Sequence, residues 1–441
     1  AQYCAVFQEM KLKKGERIVT VTNDLINTVI IFLACIAKGL IFVPINENLD
    51  EDNKKRIIRD CSPVLILEDF QQNICKKKIK NRCFDMEKRK LCTEDTLVYI
   101  LYTSGSEGIP RGVAASQKQI FFCSREINSR LGNTKADRIL CCLPLSFDYG
   151  LYQIFLSFFS GAVLYLDSGA VIQRIPYLLE KWKITAFPTI PSVANILVKF
   201  NMLRGNYNCL RYITFTGEIL PVSLLEKLKE ICSRTRMVPM YGLTECKRVS
   251  VMPENREDKI KAGSCGLPLD GVRVYLDGQD IESGIGELVV SGRNVMEGYW
   301  GIRDSELGVF DSDEKTGERV VRTGDLFKVD EEGFLYFCGR KSGIIKIWGH
   351  RTSSAWIENQ LNGAKGVLET AVTSIPDADA GERLVIFVYA ERKDAKKFVR
   401  DKMRKLPTYF QDYELYILQE PLPKNLNGKT DIKKLWKMKE N

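Results

Sequence analysis

The sequence contains one histidine, His350, in 441 residues. A Ser-His-Asp triad would have to use this residue, and metal sites built from several histidines are excluded. No C-x-x-C spacing occurs among the 14 cysteines. The sequence therefore supports neither a zinc site nor a disulfide framework, and we interpret the cysteines as reduced thiols of a cytosolic protein. Catalysis must then depend on phosphate chemistry, carboxylates, lysines or arginines.

Long hydrophobic runs are also missing. The longest, residues 29–37, is followed by Lys38 and Gly39, whereas a membrane-spanning helix needs about 20 apolar residues. The first residues have no apolar segment followed by small residues, so no signal peptide is predicted. We expect a cytoplasmic protein without membrane insertion.

The net charge is +9. A basic surface can face nucleic acid, a membrane or an acidic protein. No basic block is interleaved with aromatic residues, so we expect no nucleic-acid partner. An acidic carrier domain would suit such a surface.

The first part of the chain, from residue 18 to about 170, alternates between apolar strand-like runs and amphipathic helical stretches. Asp24 is expected to cap a helix that ends at Lys38, with Gly39 as its stop. Further elements are predicted near residues 40–45, 51–61, 64–67, 96–101, 162–166, 186–188 and 212–215. This rhythm predicts α/β layers around a largely parallel sheet.

The pattern changes after about residue 262, where short strands separated by glycine turns predict a small β-barrel-like subdomain that ends near residue 340. After Gly339 and Arg340 the pattern becomes mixed α+β. Because one core rarely grows beyond about 250–300 residues, we expect two domains. They are a large domain over 1–340, built of α/β layered subdomains, and a small α+β domain over 341–441, with a boundary at Lys341–Ser342.

A loop rich in glycine and hydroxyl groups, YTSGSEGIPRGV (102–113), follows an apolar strand. Such a loop can place backbone N–H groups and hydroxyls around phosphates. It does not fit the Walker A pattern. Other polar segments follow in order: YGLTE (241–245), RTGDL (322–326), the stretch from Gly339-Arg340 to Arg351, and PKNLNGKTD (423–431).

Taken together, these segments resemble the adenylate-forming superfamily of acyl-CoA synthetases, nonribosomal peptide synthetase adenylation domains, D-alanine–carrier protein ligases and luciferases. The resemblance covers nearly the whole chain. It begins at KKGERIVTVTNDL (13–25), a segment that some tens of residues usually precede in the family. It implies ATP and Mg²⁺ as cofactors, and an acyl-adenylate that a thiol then attacks.

The resemblance also implies roles for individual residues. The nucleotide-binding set is Thr103, Ser104, Gly105, Ser106, Gly108, Arg111, Gly217, Glu218, Tyr241, Asp325 and Arg340. Within it, residues 103–106 would hold the β- and γ-phosphates, Tyr241 would stack on adenine, and Asp325 would accept from the ribose hydroxyls. The catalytic set is Lys429, Thr244 and Glu245, and Glu245 would hold the magnesium ion.

A small domain that rotates about a hinge is implied as well, because Lys429 and the incoming thiol cannot serve the site at the same moment. The residues assigned to the hinge and the thiol step are Lys341, Ser342, Lys346 and Gly349. His350 is interpreted as a packing residue.

Several positions depart from the family pattern. Glu107 and Arg111 stand where threonine and lysine are usual, and Ser342 replaces the usual hinge aspartate. Arginine keeps the charge of lysine but not its shape. Thr216 and Trp356 also differ. Because Glu245, Asp325, Arg340 and Lys429 are all retained, we expect an active enzyme.

The identity of the acid remains open. The substrate pocket implied by the resemblance contains Phe147, Asp148, Tyr149 and Arg248. Asp148 would bind the α-amino group of an amino acid, or it would pair with Arg248 in a site for an amine-free acid, because lone buried charges are costly. In a third interpretation Arg248 binds a second carboxylate of the substrate.

The end of the chain, including LPKNLNGKTD (422–431), resembles enzymes that load carrier proteins. The expected partner is the phosphopantetheine thiol of a separate acidic carrier protein, and the expected enzyme is a stand-alone ligase. The alternatives are free coenzyme A as the acceptor, an adenylating enzyme that ends in oxidation, and a non-catalytic nucleotide-binding protein.

Overall fold

The structure is a computed structural model. It describes residues 2–21, 24–68, 92–104, 110–168, 171–280, 284–313, 316–341, 344–347, 350–361, 366–377, 381–390, 394–424 and 430–439. The helices of these residues are α1 Gln2–Glu9, α2 Leu25–Lys38, α3 Glu51–Cys61, α4 Gln117–Leu131, α5 Asp148–Ser160, α6 Ile175–Lys181, α7 Pro191–Lys199, α8 Val222–Ile231, α9 Glu257–Lys261, α10 Asp304–Leu307, α11 Ser354–Leu361, α12 Ala395–Met403 and α13 Ile432–Lys439.

The strands are β1 Arg17–Val21, β2 Ile41–Ile45, β3 Leu65–Glu68, β4 Leu97–Ser104, β5 Pro110–Ser116, β6 Arg138–Cys141, β7 Val163–Leu166, β8 Ala186–Thr189, β9 Tyr212–Phe215, β10 Arg236–Tyr241, β11 Ser250–Val251, β12 Leu267–Pro268, β13 Val272–Asp277, β14 Gly286–Gly292, β15 Gly298–Tyr299, β16 Phe310–Ser312, β17 Arg319–Val329, β18 Leu335–Arg340, β19 Ile344–Ile347, β20 His350–Ser353, β21 Val367–Asp377, β22 Gly381–Ala390 and β23 Tyr413–Leu418.

The predicted helix after Asp24 is confirmed as α2. The Asp24 carboxylate accepts from the Asn27 N–H at 3.0 Å and so satisfies one of the unpaired donors of the first turn. Gly39 ends the helix with φ of 68°, a left-handed conformation that glycine adopts without steric cost. Local capping chemistry therefore fixes both ends of this helix.

The predicted α/β layers of the first half of the chain are confirmed, and they contain two sheets. One has the order β15-β5-β4-β2-β1-β3, and its strands β1 to β4 are parallel. The other has the order β12-β11-β10-β9-β8-β6-β7 and is parallel from β10 to β7. Their shared rhythm cannot tell a second sheet from a continuation of the first.

A third sheet, in the order β13-β14-β17-β16 with β18 paired to β17, is antiparallel. Two short strands from the same part of the sequence pair with strands of other sheets. The β12 strand joins the second sheet, and β15 pairs with β5 in the first sheet. The pairing of β15 with β5 brings Tyr299 beside Glu245, in the loop that follows β10. The β-rich region is therefore interleaved with the other two sheets.

A fourth sheet, formed by β19 to β23 in the order β20-β19-β22-β21 with β23 paired to β22, belongs to the C-terminal residues. Its buried side chains form two clusters that contain only residues from 345 onward. Across to the large domain, Lys199 Nζ donates to Tyr389 Oη at 3.2 Å. None of the helices in the described residues is long and apolar enough to cross a membrane.

Candidate functional site

Three residues from separate segments meet at the end of β10. The Tyr241 hydroxyl donates to Asp325 Oδ2 at 2.8 Å, and Arg340 Nε lies 3.0 Å from Asp325 Oδ1. Asp325 is only 2% exposed. Its β17 strand pairs with β18 so that Asp325 lies directly opposite Arg340. The antiparallel register therefore brings together two residues that are 15 positions apart in the sequence.

The turn before Asp325 is fixed by its own hydrogen bonds. Thr323 Oγ1 donates to the carbonyl of Leu288 at 2.7 Å and accepts from the Asp325 N–H at 3.1 Å. The Gly324 N–H donates to Glu287 Oε1 at 3.0 Å, and Lys341 Nζ lies 2.8 Å from Glu287 Oε2. These contacts hold the Asp325 carboxylate in place and connect it to the predicted domain boundary.

Glu245 has a partner that the sequence did not reveal. The Tyr299 hydroxyl donates to Glu245 Oε1 at 2.7 Å, and the Arg111 guanidinium lies 6.0 Å from the Tyr299 ring centroid. Burial raises the pKa of the Glu245 carboxyl. Tyr299 reaches this position because β15 pairs with β5, a long-range pairing that no local pattern around residue 299 predicts.

The turn between Tyr241 and Arg248 is unusually tight. A Cβ atom on Gly242 would lie 1.9 Å from the carbonyl oxygen of Lys247. Only glycine allows this approach, because every other residue would place a side-chain carbon inside that oxygen. Thr244 and Glu245 lie within the turn.

The predicted phosphate loop is described only at its edges. Thr103 and Ser104 close β4, and the pairing with β5 places Thr103 opposite Arg111, whose carbonyl is 3.5 Å from Thr103 Oγ1. The predicted residues Gly105, Ser106, Gly108, Ser342, Gly349 and Lys429 lie outside the described residues. Lys346 lies on β19 opposite Arg351 of β20.

Gly217 and Glu218 follow β9, which runs parallel to its neighbour β10, so they lie at the same edge of the second sheet as the end of β10. Gly217 has φ of 86°, and its missing Cβ would meet nothing nearer than 3.9 Å. Glu218 Oε2 accepts from the Ser192 N–H at 2.9 Å, and burial raises the pKa of its carboxyl. The backbone at Gly217 is thus open to an incoming group.

Among the alternatives for Asp148, its pairing with Arg248 is contradicted by the structure. Asp148 Oδ2 instead lies 3.0 Å from Lys247 Nζ, which also donates to the Asp148 carbonyl at 3.0 Å. The Arg248 guanidinium instead donates from Nη1 to Thr216 Oγ1 at 2.7 Å. Both cations line the same pocket, but only Lys247 forms an ion pair with Asp148.

Lys247 is the main residue that sequence reasoning missed. It is 1% exposed and lies with its Nζ 4.1 Å from the Tyr152 ring centroid, a cation–π contact. Burial lowers its pKa to about 8, although Asp148 opposes that shift. A lysine beside an arginine in the sequence looks like an exposed charge, and no local signal marks it as buried.

The other predicted pocket residues have different positions. Phe147 precedes α5 and is 38% exposed. The Tyr149 hydroxyl is 2.6 Å from Thr214 Oγ1, and its ring centroid lies 5.5 Å from the Arg248 guanidinium. Tyr149 is therefore part of a buried polar wall, whereas Phe147 is at the surface of the same region.

Replacement of Asp148 by asparagine is expected to destabilise the large domain. The change leaves the buried Lys247 charge without a carboxylate and should cost roughly 2–3 kcal/mol, less than a fully buried pair because Asp148 is partly exposed. Thermal unfolding would show a lower midpoint for Asp148→Asn. The double variant Asp148→Asn with Lys247→Met should regain most of the loss. An unchanged midpoint for the single variant would contradict the assigned pair.

Two family models match this chain. Residues 1–300 match the AMP-binding enzyme model, and residues 356–429 match the model of the AMP-binding enzyme C-terminal domain. Together they cover most of the sequence and both of its parts.

Several curated proteins are similar over most of this chain. Bacitracin synthase 1 of Bacillus licheniformis is 25% identical over 97% of the chain, and tyrocidine synthase 1 of Brevibacillus parabrevis is 26% identical over 93%. Delta-poly-L-ornithine synthetase of Acinetobacter baumannii (strain AB307-0294) is 31% identical over 78%. The chain spans 8%, 39% and 26% of these three proteins, so it corresponds to one portion of each.

Solved structures share the fold along the whole chain. ATP-bound MatB from Rhodopseudomonas palustris has a TM-score of 0.87 and 20% identity, and covers 100% of this chain and 92% of its own. The o-succinylbenzoate CoA synthetase of Bacillus subtilis, solved with its acyl-adenylate intermediate, has a TM-score of 0.83 and 22% identity, and covers 97% and 90%. With both family models matched and the fold shared, this chain belongs to the AMP-binding enzyme family.

Proposed function

We propose that this protein activates a carboxylic acid with ATP as an acyl-adenylate and then transfers the acyl group to the phosphopantetheine thiol of a carrier protein, with release of pyrophosphate and AMP. The observation that carries the proposal is the meeting of Tyr241, Asp325 and Arg340. A buried carboxylate held between a phenol and a guanidinium is suited to accept hydrogen bonds from the vicinal hydroxyls of a ribose.

The residues around this point suit the rest of a nucleotide. Tyr241 offers a ring for an adenine face, and Gly217 leaves open backbone beside it. Thr103 and Ser104 end a strand at the phosphate loop, and Thr244 lies in the turn after β10. Thr244 would contact the α-phosphate, and Glu218 would lie on the adenine side.

A magnesium ion fits this donor set. Among the described residues no group of three or more His, Cys, Asp or Glu side chains is placed to hold a metal. Mg²⁺ commonly uses one or two carboxylates together with substrate phosphates and water. Glu245 would supply the carboxylate, and the ion would neutralise phosphate charge when bound. The Tyr299 hydroxyl orients the Glu245 carboxylate for this contact.

The reaction brings two anions together, so its catalytic groups must be cations and oriented donors. Lys429 would contact the substrate carboxylate and the α-phosphate, and Arg111 would add charge near the phosphates. The acid would lie in the pocket that contains Tyr149 and Arg248, which fixes its direction of attack. The carboxylate oxygen forms the new bond to the α-phosphorus, and the bond to pyrophosphate breaks.

The thiol step needs a second arrangement of the small domain. We place the hinge at Lys341–Ser342, next to Arg340 at the end of β18. The separate hydrophobic clusters of the C-terminal residues support rotation of that domain as one body. Lys346 and Gly349 would then face the cleft, where the carrier thiol attacks the acyl carbon and AMP leaves.

A carrier protein is favoured over coenzyme A as the acceptor. The end of the chain, LPKNLNGKTD (422–431), resembles enzymes that load carrier proteins. The net charge of +9 suits an acidic carrier protein and polyanionic coenzyme A alike, so it does not separate the two. Coenzyme A remains the second candidate, because a structural neighbour is titled an o-succinylbenzoate CoA synthetase.

The free thiols of the described cysteines suit a reducing cytoplasm.

The test is ATP–pyrophosphate exchange with separate pools of amino acids and amine-free acids. Exchange is expected with one of the pools, and Lys429→Ala should reduce it by about 100-fold or more, because the variant loses a transition-state cation. Thioester formation is then measured by intact mass on a holo-carrier protein and on coenzyme A. Absence of exchange with both pools, in protein that binds ATP, would contradict the proposal.

A further inference from the structure

The pocket beside the turn after β10 is nearly filled by protein. Its lining includes Tyr149, Tyr152, Thr214, Met240, Lys247 and Arg248. The free volume between them is about 10 Å³, the space of about one water molecule. A group that enters this pocket must therefore be short, and it must meet phenols, a hydroxyl and two cations.

The charges of this pocket do not balance. Lys247 and Arg248 are 1% and 2% exposed, and Asp148 compensates only the first of them. Arg248 donates from Nη1 to a neutral hydroxyl, that of Thr216, and its buried Nε has no acceptor among the described residues. A buried guanidinium is costly unless it is paired with an anion.

An amino group would fit this pocket poorly. The Asp148 carboxylate already accepts from Lys247 Nζ at 3.0 Å. A substrate ammonium that approached Asp148 would meet the Lys247 charge and would have to displace it. Arg248, the next residue, adds a second repulsive cation on the same side. The pocket therefore disfavours an α-amino acid.

Given the acid activation proposed above, on which this inference rests, we propose that the substrate is a short dicarboxylic acid without an amine, whose second carboxylate pairs with Arg248. The first carboxylate is then free to attack the α-phosphate. The second supplies the anion that the guanidinium lacks, through a charge-assisted hydrogen bond from Nε. Arg248 is thereby the residue that determines specificity for the acid.

Three four-carbon acids that differ by one group test this assignment. Succinate has two carboxylates. Butyrate lacks the second carboxylate, and aspartate is succinate with an added amine. Initial rates of ATP–pyrophosphate exchange are measured for each acid with the full chain. We expect kcat/KM for succinate to exceed the values for butyrate and aspartate by about 10–100-fold, the range of one charge-assisted hydrogen-bonded contact.

Arg248→Met should abolish this preference. The variant keeps an unbranched side chain of similar length, and the ratio of succinate to butyrate within one preparation is independent of how much protein is active. The ratio is expected to fall to about 1. Arg248→Lys keeps the charge without the planar fork and should restore part of the preference. If Arg248→Met fails to fold, direct calorimetric binding of succinate and butyrate to the wild-type protein gives the same comparison.

The outcomes separate the inference from the function on which it rests. Exchange with aspartate or butyrate equal to that with succinate would overturn the dicarboxylate assignment and keep acid activation. A preference for succinate that Arg248→Met leaves unchanged would overturn the role of Arg248. No exchange with these acids or with either pool would overturn the proposed function, and the inference with it.

Discussion

Replacement of Asp325 by asparagine is expected to raise the KM for ATP by about 100-fold, because the ribose would lose one charged acceptor and Arg340 would lose its ion pair. Asparagine keeps the size of aspartate, so the turn at Thr323 and Gly324 should persist. ATP–pyrophosphate exchange at varied ATP concentration measures the effect. Thermal unfolding of the same preparation establishes that the variant is folded.

Asp277→Asn is the matched control for this experiment. Asp277 lies on β13 of the same sheet and pairs with Arg322 at 2.5 Å, but its side chain is 48% exposed. Exposed pairs contribute little free energy, so this variant should retain an unchanged KM for ATP. Equal KM values for Asp325→Asn and wild-type protein would exclude Asp325 as the ribose ligand.

Glu245→Gln is expected to reduce the maximal rate of exchange by about 100-fold or more at saturating Mg²⁺, because an amide cannot supply the negative oxygen ligand that the metal requires. The fold should tolerate the change. Burial raises the folded-state pKa of Glu245, so ionisation of this carboxyl disfavours the folded state as pH rises through that pKa. A neutral glutamine removes that cost.

The pH dependence gives a second readout of the same residue. Magnesium binding requires the ionised carboxylate, so at sub-saturating Mg²⁺ the apparent affinity of the wild-type enzyme for the ion should weaken as pH falls, and Glu245→Gln should lose this dependence. Tyr299→Phe is the comparison. It removes only the hydroxyl that orients the carboxylate and should lower the rate less than about 10-fold. A Glu245→Gln enzyme with wild-type activity would contradict the metal assignment.

The elements that the sequence predicts well are those whose ends are determined locally. Asp24 and Gly39 bound α2 through contacts with residues within four positions, and both were identified. The division into two sheets was not predictable from the alternation of strands and helices. It depends on which strands pair, and pairing is a tertiary choice made between residues that are far apart in the sequence.

The site shows the same limit. Tyr241, Glu245, Asp325 and Arg340 were identified because a resemblance carries them, and the structure brings Tyr241, Asp325 and Arg340 into contact. Tyr299 and Lys247 carry no local mark. One reaches Glu245 through the β15–β5 pairing, and the other is buried because a tight turn directs it inward. The alternative of an Asp148–Arg248 pair failed because Lys247, which the sequence did not mark, is the partner of Asp148.

The missing side chain at Gly242 has a consequence for how such an enzyme changes its substrate. The backbone there touches the carbonyl of Lys247 so closely that no insertion or bulkier residue fits. Tyr241 and Glu245 are thus committed to a single backbone path, while the side chains of Thr216 and Arg248, which are hydrogen-bonded to each other, can be exchanged as a pair without breaking the Lys247–Asp148 ion pair. Divergence toward a new acid should therefore proceed by substitution at these outer positions, with the inner ones held constant across any descendants that still use ATP.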